Sequence, residues 1–140
     1  MSPEMSDLNT RVQEALDRSP IMALSTTGPN GSWTSPVQYQ HDEKLHLYFS
    51  SLPDARHVHN LKADPRVSLA IYSFPGPPGG NLGLQIAGRA VELSEGPNDE
   101  GWRRFEITPE EAWIFDSRVY GKERRSVALN DLHLEKGPNQ

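Results

Sequence analysis

Two adjacent serines and a nearby arginine are the residues of this 140-residue chain whose types and spacing suggest a specific chemistry. Ser50 and Ser51 end an apolar run that begins at Leu45, and Arg56 follows shortly after. Hydroxyl donors and a guanidinium fork together suffice to bind a phosphate group. A helix that begins near Pro53 would add the positive end of its dipole at the same place. Taken alone, these residues are more typical of a capped helix that carries one surface charge.

The common catalytic motifs are missing from the sequence. No GxGxxG, P-loop, HExxH or GxSxG pattern occurs, and the absence of cysteine excludes a thiol nucleophile and Cys-ligated metals. His57 and His59 are separated by one residue, which places them on different faces of a helix and argues against a shared metal. We therefore expect no metal site, and no motif assigns a catalytic residue.

The composition restricts the class of protein. A net charge of −5 argues against binding of nucleic acid through phosphate neutralisation. No run approaches eighteen apolar residues, and the polar, acidic segment Met1–Thr10 does not resemble a signal peptide. We expect one cytoplasmic domain over residues 1–140, with no membrane span. The 11 Gly and 12 Pro indicate many turns and therefore favour β structure.

Hydrophobic periodicity predicts a mainly β (α+β) domain with an N-terminal helix over residues 1–19 and a second helix over Pro53–Lys62 that caps a barrel opening. A third, short helix is predicted over Pro97–Phe105, a flexible loop over Phe74–Asn81 and a loose tail over residues 135–140. Gly88 is expected to form a bulge. The first three strands are expected to form an antiparallel meander. The predicted strands are Ile21–Thr27, Ser32–Gln40, Leu45–Ser51, Arg66–Ser73, Leu82–Leu93, Glu110–Phe115 and Val127–Leu134.

A series of motifs between Met22 and Leu93 has the order and approximate spacing of a known family. The most specific are Leu47–Ser51 (LYFSS), Ala55–Leu61 (ARHVHNL) and Asp64–Leu69 (DPRVSL). The chain in this region resembles the pyridoxamine 5′-phosphate oxidase-like, FMN-binding split-barrel family. The resemblance implies a small antiparallel split β-barrel of about six to seven strands, and a homodimer with FMN at its interface.

The resemblance also implies a set of cofactor-binding residues. Ser50, Ser51, Arg56 and His57 would bind the FMN phosphate. The second predicted strand would lie along the edge of the flavin ring, and a glutamine on the long strand would face it. These ring-binding residues are Thr34, Ser35, Pro36, Val37, Gln38, Tyr39 and Gln85.

The chain departs from the family pattern at the phosphate site. The family usually has an Arg-Lys pair preceded by Ser or Thr, whereas here Arg56-His57 follows Ala55. One hydroxyl and one permanent charge are therefore missing, because histidine is mostly neutral at pH 7. The basic residues of the segment Arg118–Arg125 are a candidate supplement from the partner subunit, and a solvated basic turn is the alternative.

The leading functional hypothesis is an FMN-dependent oxidoreductase that acts on a small molecule. One alternative is an F420-dependent reductase on the same fold. Another is a non-enzymatic flavin or haem carrier, sensor or stress protein, with His41, His46, His57 or His59 as a haem ligand. The last is a dimeric scaffold that has lost its cofactor. Absorption spectra of the purified protein distinguish these hypotheses.

Overall fold

The computed structural model describes residues 3–73, 76–94, 98 and 100–135. They form a single curled antiparallel sheet with three helices. The helices are α1 (Pro3–Arg18), α2 (Arg56–Ala63) and α3 (Ser117–Tyr120). The strands are β1 (Ile21–Gly28), β2 (Gly31–Gln38), β3 (Gln40–His41), β4 (Leu47–Ser51), β5 (Arg66–Ser73), β6 (Leu82–Glu92), β7 (Arg103–Asp116) and β8 (Arg124–Ser126).

The order of the strands explains how the sheet curls. It is β2-β1-β5-β6-β7-β4-β3, and β8 pairs with the far end of β7. The edge strands β2 and β3 are therefore at opposite ends of the order, although only Tyr39 separates them in the chain. A sheet whose two edges are joined by one residue must bend back on itself. The result is a curled half-barrel, which confirms the predicted split-barrel fold.

The interior of the half-barrel is filled by alternate residues of the strands and by one face of α1. Val12, Ala15 and Leu16 of α1 are buried, and Leu8 packs against the same core. This confirms the predicted amphipathic helix. Along β5 the inward residues Val67, Leu69 and Ile71 are buried, as the period of two predicts. The largest fully buried side chains are Phe49, Met22, Leu24, Leu45, Leu47, Ile71, Leu82, Leu84, Ile107, Ile114, Leu132 and Val12.

The predicted bulge at Gly88 is confirmed. The pairing of β6 with β7 shifts register between Ala87 and Gly88, where Gly88 lies opposite Pro109. A Cβ atom on Gly88 would collide with the backbone oxygen of Thr108, so only glycine fits there. Proline cannot donate a ladder hydrogen bond, and its place beside an irregularity avoids that loss.

Pairing of the third predicted strand was wrong. β1 and β2 form the expected hairpin, but β4 pairs with β3 and β7 and not with β2. The hydrophobic period identifies a strand without identifying its neighbour, and the curl of the sheet carries β4 to the far edge.

Three other predicted elements differ from the structure. No helix forms over the described part of Pro97–Phe105, because the Asn98 side chain accepts hydrogen bonds from the amides of Glu100 and Trp102 in a tight turn. The expected strand Val127–Leu134 is a 3-10 turn at Leu129–Asp131, preceded by the short strand β8. Helix α2 begins at Arg56 and not at Pro53, and Ala55 is its N-cap residue.

Two predicted flexible segments lie partly outside the described residues. Phe74 and Pro75 of the predicted loop and residues 136–140 of the tail are among them. The described end of the loop is held to α3, because the Asn81 amide donates to Ser117 Oγ at 2.8 Å and the Ser117 amide donates to the Asn81 oxygen at 3.0 Å.

Candidate functional site

A cavity of about 590 Å³ opens where the two edges of the curled sheet approach each other. Its size suits a drug-sized ligand, for which pockets of about 300–1,000 Å³ are usual. The walls come from β2, β3, β4, β7 and the turn that leads into α2. The lining residues are Pro36, Val37, Gln38, Tyr39, Gln40, Tyr48, Phe49, Ser50, Ser51, Leu52, Asp54, Ala55, His57, Trp102 and Arg104.

A short serine–histidine hydrogen bond lies at one end of this cavity. Ser51 is the last residue of β4, and His57 is the second residue of α2. Ser51 Oγ and His57 Nε2 are 2.6 Å apart, and Ser51 is only 5% exposed. The imidazole also contacts the ring of Phe49, with 6.1 Å between the ring centroids. Burial lowers the pKa of His57, so the free imidazole is neutral at pH 7.

The N-terminus of α2 is open toward the same end of the cavity. Its N-cap residue, Ala55, makes no side-chain capping hydrogen bond. The Val58 amide donates to the Ala55 oxygen at 3.0 Å, which leaves the amides of Arg56 and His57 as the free donors of the first turn. Such amides attract anions when no side chain caps them. Ala55 and His57 both line the cavity, so these amides lie beside the Ser51–His57 pair.

Arg104 brings a positive charge to the wall formed by β7, where it pairs across the strands with Ser50 of β4. Its Nη2 donates to Gln40 Oε1 at 2.9 Å, and its guanidinium carbon lies 5.1 Å from the ring centroid of Tyr48. The Tyr48 hydroxyl in turn donates to Glu106 at 2.8 Å. Burial, followed by that hydrogen bond, raises the pKa of Tyr48, which keeps the phenol neutral. Arg104 was not among the predicted site residues, because the sequence pattern predicted a helix over Pro97–Phe105 where β7 in fact begins.

Four of the six predicted ring-binding residues between Thr34 and Tyr39 line the cavity. Pro36, Val37, Gln38 and Tyr39 line the cavity, whereas Thr34 and Ser35 do not. Thr34 lies further along the strand, where its Oγ1 is 2.9 Å from Ser25 Oγ. Among the described residues β2 pairs with β1 alone, so its other edge presents backbone groups that no described strand pairs.

Tyr39 has an additional structural role. Its hydroxyl lies 2.6 Å from the backbone oxygen of Ser19 and 3.1 Å from that of Leu16, which ties the connection between β2 and β3 to α1. Burial raises the pKa of Tyr39, so the phenol remains a donor at neutral pH.

Three of the four predicted phosphate-binding residues line the cavity. Ser50, Ser51 and His57 line the cavity, but Arg56 does not. The Arg56 guanidinium lies over the Trp33 ring at 4.3 Å from its centroid and donates to the Asn30 oxygen at 3.4 Å. This places the arginine at the tip of the β1–β2 hairpin.

Gln85 lies on the outer face of the sheet, in a separate, shallower cavity of about 490 Å³. It accepts a hydrogen bond of 2.7 Å from Arg124 Nη1, and Arg124 also lies 5.9 Å from the ring centroid of Trp113. Within one chain, therefore, Gln85 is not brought to the cavity that holds Ser51 and His57.

The basic segment Arg118–Arg125 is partly neutralised. Arg118 donates to the buried Asp116 at 2.7 Å and to Glu14 at 3.1 Å, and Arg125 lies 3.8 Å from Glu123. Two carboxylates hold Arg118 in place, so its positive charge is neutralised by ion pairs within the chain. Arg124 and Lys122 are the exposed cations that remain of the predicted supplement.

A metal-binding cluster and a membrane-spanning helix are both absent from the described residues. No group of three or more His, Asp or Glu side chains in this part of the chain is arranged to hold a metal ion. None of the helices within the described ranges has the length and apolar character needed to cross a membrane.

Several solved structures have the same fold. A haem-binding protein from Mycobacterium smegmatis matches with a TM-score of 0.68 and 19% identity, over 91% of this chain and 61% of that one. HutZ, a haem storage protein from Vibrio cholerae, matches with a TM-score of 0.62 and 15% identity, over 76% of this chain and 92% of that one. An FAD-binding protein from Mesorhizobium loti matches with a TM-score of 0.61 and 17% identity, over 76% of this chain and 88% of that one.

At these identities the structural matches establish the fold and do not identify a ligand. No curated protein matches the sequence. The family described as pyridoxamine 5′-phosphate oxidase matches residues 8–129, which is most of the chain. The motifs between Met22 and Leu93, the curled half-barrel and this match agree, and the chain belongs to the pyridoxamine 5′-phosphate oxidase family.

Proposed function

We propose that the cavity between the sheet edges binds FMN and that the protein is a flavin-dependent oxidoreductase acting on a small molecule. The observation that carries this proposal is the partly buried Ser51–His57 pair beside the uncapped N-terminus of α2. A hydroxyl, an imidazole and free helix amides form a donor set that suits a phosphate group. FMN would supply the redox chemistry, and the protein would bind and orient it.

The remaining walls suit a flat, partly polar ring. The unpaired edge of β2 offers the backbone N–H and C=O of Gln38 and the C=O of Pro36, and Arg104 contributes one positive charge. The exposed Trp102 adds an aromatic surface at the rim. These groups would hold the ring and exclude water from one side, and no side chain need act as an acid or a base.

We further propose that two copies of the chain associate through the outer face of β1, β5, β6 and β7. This face carries small side chains such as Ala23, Ala70 and Ala87, with the exposed Ile21 and Tyr72 at its end. Small side chains on one face of a sheet permit close approach of a second sheet. Pairing through this face would bring Gln85 and Arg124 of each copy to the interface, where an anionic cofactor would meet them.

Haem binding is the second candidate. The lowered pKa of His57 keeps its imidazole neutral, the form that ligates iron, and His57 lines the cavity. Two structural relatives are described as haem proteins. The polar donors at the same end of the cavity favour a phosphate over a porphyrin edge, and flavin is therefore the preferred ligand.

Titration of the purified protein with FMN, riboflavin, F420 and haem tests the proposal. We expect FMN to bind more tightly than riboflavin, because only FMN carries the phosphate. Ser51→Ala should weaken FMN about tenfold, the usual effect of one lost charge-assisted hydrogen bond, and leave riboflavin unchanged. The matched control Ser126→Ala removes an exposed serine of β8 that lines neither this cavity nor the outer face, and it should change neither affinity. Preferential binding of F420 or haem would contradict the proposal.

A further inference from the structure

Building on the proposed FMN site, we propose that His57 couples phosphate binding to proton uptake, so that the cavity holds the phosphate dianion with a protonated imidazole. Ser51 then passes the effect of that proton to the ligand. His57 stands where the family usually has lysine, and the inference concerns what this particular side chain does to binding.

The protonation state of His57 determines the net charge of the cavity, because the charges of the other lining residues cancel. The titratable or charged residues among its described lining are Tyr39, Tyr48, Asp54, His57 and Arg104. Both tyrosines have raised pKa values and stay neutral. Asp54 and Arg104 carry opposite charges, which sum to zero. A proton on His57 therefore changes the cavity from neutral to positive.

Other ionisable groups near His57 are Asp54, which lines the same cavity from the turn before α2, and Arg103 of β7, which lies opposite Ser51 in the strand pairing and donates to Glu92. Arg56 is held over Trp33, and His59 is exposed. From β4, the element packed against the imidazole, the contacts are the Phe49 ring and the Ser51 hydroxyl. No carboxylate among the described residues is hydrogen-bonded to His57, and burial lowers the pKa of its imidazole.

The hydrogen bond between Ser51 and His57 explains how a proton changes the donors. A neutral imidazole has one donor and one acceptor nitrogen, and a serine hydroxyl has a single proton to donate. When Nε2 is the acceptor, the Ser51 proton is spent on His57. A protonated imidazole donates from both nitrogens, so Ser51 Oγ accepts from Nε2 and its own proton is free for the phosphate.

The expected pH dependence follows from the protons carried by each free partner. Burial lowers the pKa of His57, and the second pKa of a phosphate monoester is about 6. Above pH 7 neither free partner carries the proton that the complex contains. Affinity for FMN should therefore fall about tenfold for each pH unit above about 7. Riboflavin lacks the phosphate, and its affinity should not depend on pH over this range.

Calorimetric titration of the unmodified protein with FMN tests the inference directly. At pH 8, in two buffers of different ionisation enthalpy, we expect uptake of close to one proton for each FMN bound. Uptake near zero, with FMN affinity constant from pH 6 to 9 and still tighter than that of riboflavin, would overturn the role of His57 and leave the flavin site intact. Failure of both FMN and riboflavin to bind at any pH would instead refute the proposed function, and this inference with it.

Two variants identify the group that takes up the proton. His57→Lys carries a permanent charge, and it should abolish proton uptake and bind FMN at pH 8.5 at least tenfold more tightly than the wild type. His57→Gln keeps a hydrogen-bonding group without charge, and it should also lose the uptake and bind FMN at pH 7 at least tenfold more weakly than the wild type. Undiminished proton uptake by a folded His57→Gln protein would assign the proton to another group and overturn the inference.

Discussion

Asn60 Nδ2 donates a hydrogen bond of 3.0 Å to Oγ1 of Thr26, and both side chains are buried. This bond joins α2 to β1 in the interior of the half-barrel. Because α2 also carries His57, this bond helps to fix the end of the cavity where Ser51 and His57 lie. The imidazole keeps its 2.6 Å contact with Ser51 only while α2 keeps its place. Gly28 makes room for Asn60, since a Cβ atom there would collide with the amide.

Replacing Asn60 should weaken both the fold and the site. We expect Asn60→Ala to lower the free energy of unfolding by about 1–3 kcal/mol, because it leaves the Thr26 hydroxyl buried without this partner. FMN affinity should fall with it, as α2 loses its anchor. Urea unfolding and flavin titration measure the two effects. His59→Ala, an exposed substitution on the same helix, is the control and should change neither.

The adjacent arginines of β7 offer a matched pair. Arg104 lines the cavity, whereas Arg103 donates to Glu92 at 2.8 Å. We expect Arg104→Gln to weaken FMN about tenfold through loss of a charge-assisted contact, and Arg103→Gln to leave it within about twofold. Equal effects of the two variants on FMN affinity would show that Arg104 has no special contact with the ligand.

Asp116 is a buried carboxylate on which the acid stability of the protein should depend. It is 0% exposed and accepts hydrogen bonds from Arg11 and Arg118. The Arg118 hydrogen bonds hold the pKa of Asp116 below its usual value. A carboxylate with a lowered pKa in the folded state stabilises the protein fully above about pH 4, and this stabilisation is lost as the pH falls through the folded pKa.

Asp116→Asn should therefore reduce the free energy of unfolding at pH 7 by about 1.5–3 kcal/mol and make stability less dependent on pH below 4. Urea unfolding between pH 7 and 2.5 measures both. Asp7→Asn removes a half-exposed partner of the same Arg11 and should cost less than about 0.5 kcal/mol. A wild-type pH profile that Asp116→Asn leaves unchanged would contradict this account.

Gly88 should tolerate no side chain. Gly88→Ala would force a Cβ against the Thr108 backbone, where a flexible side chain cannot move aside, and we expect a loss of about 1–3 kcal/mol in the free energy of unfolding. Ala87→Gly, at the neighbouring position of β6, should cost only about 0.5–1 kcal/mol. Thermal or urea unfolding compares the two, and equal losses would mean that the register shift accommodates a side chain.

Local features of the fold could be predicted from the sequence because they depend on neighbouring residues. The period of two in Arg66–Ser73 and the apolar stripe of α1 each record which side faces the core. Gly88 within a long strand indicated a bulge for the same local reason. The partner of β4 depends on how the whole sheet curls, and no residue in β4 encodes that.

The residues of the candidate site also fall into those that local sequence motifs predict and those that depend on the assembled sheet. Family motifs led to Ser51 and His57, which the structure brings together. Arg56 belongs to the same motif, but its long side chain follows the Trp33 ring and not the cavity. Arg104 reaches the cavity from a distant part of the chain because β7 pairs with β4, and that contact appears only after the sheet is assembled.

The absorption spectrum of the protein, mixed with FMN at pH 6.5 and passed through a desalting column, tests the central claim most directly. We predict that the protein fraction retains close to one flavin per chain and shows the two visible bands of bound flavin. A colourless protein fraction, or one that retains haem but not FMN in a parallel experiment, would contradict the proposal that this cavity is a flavin site.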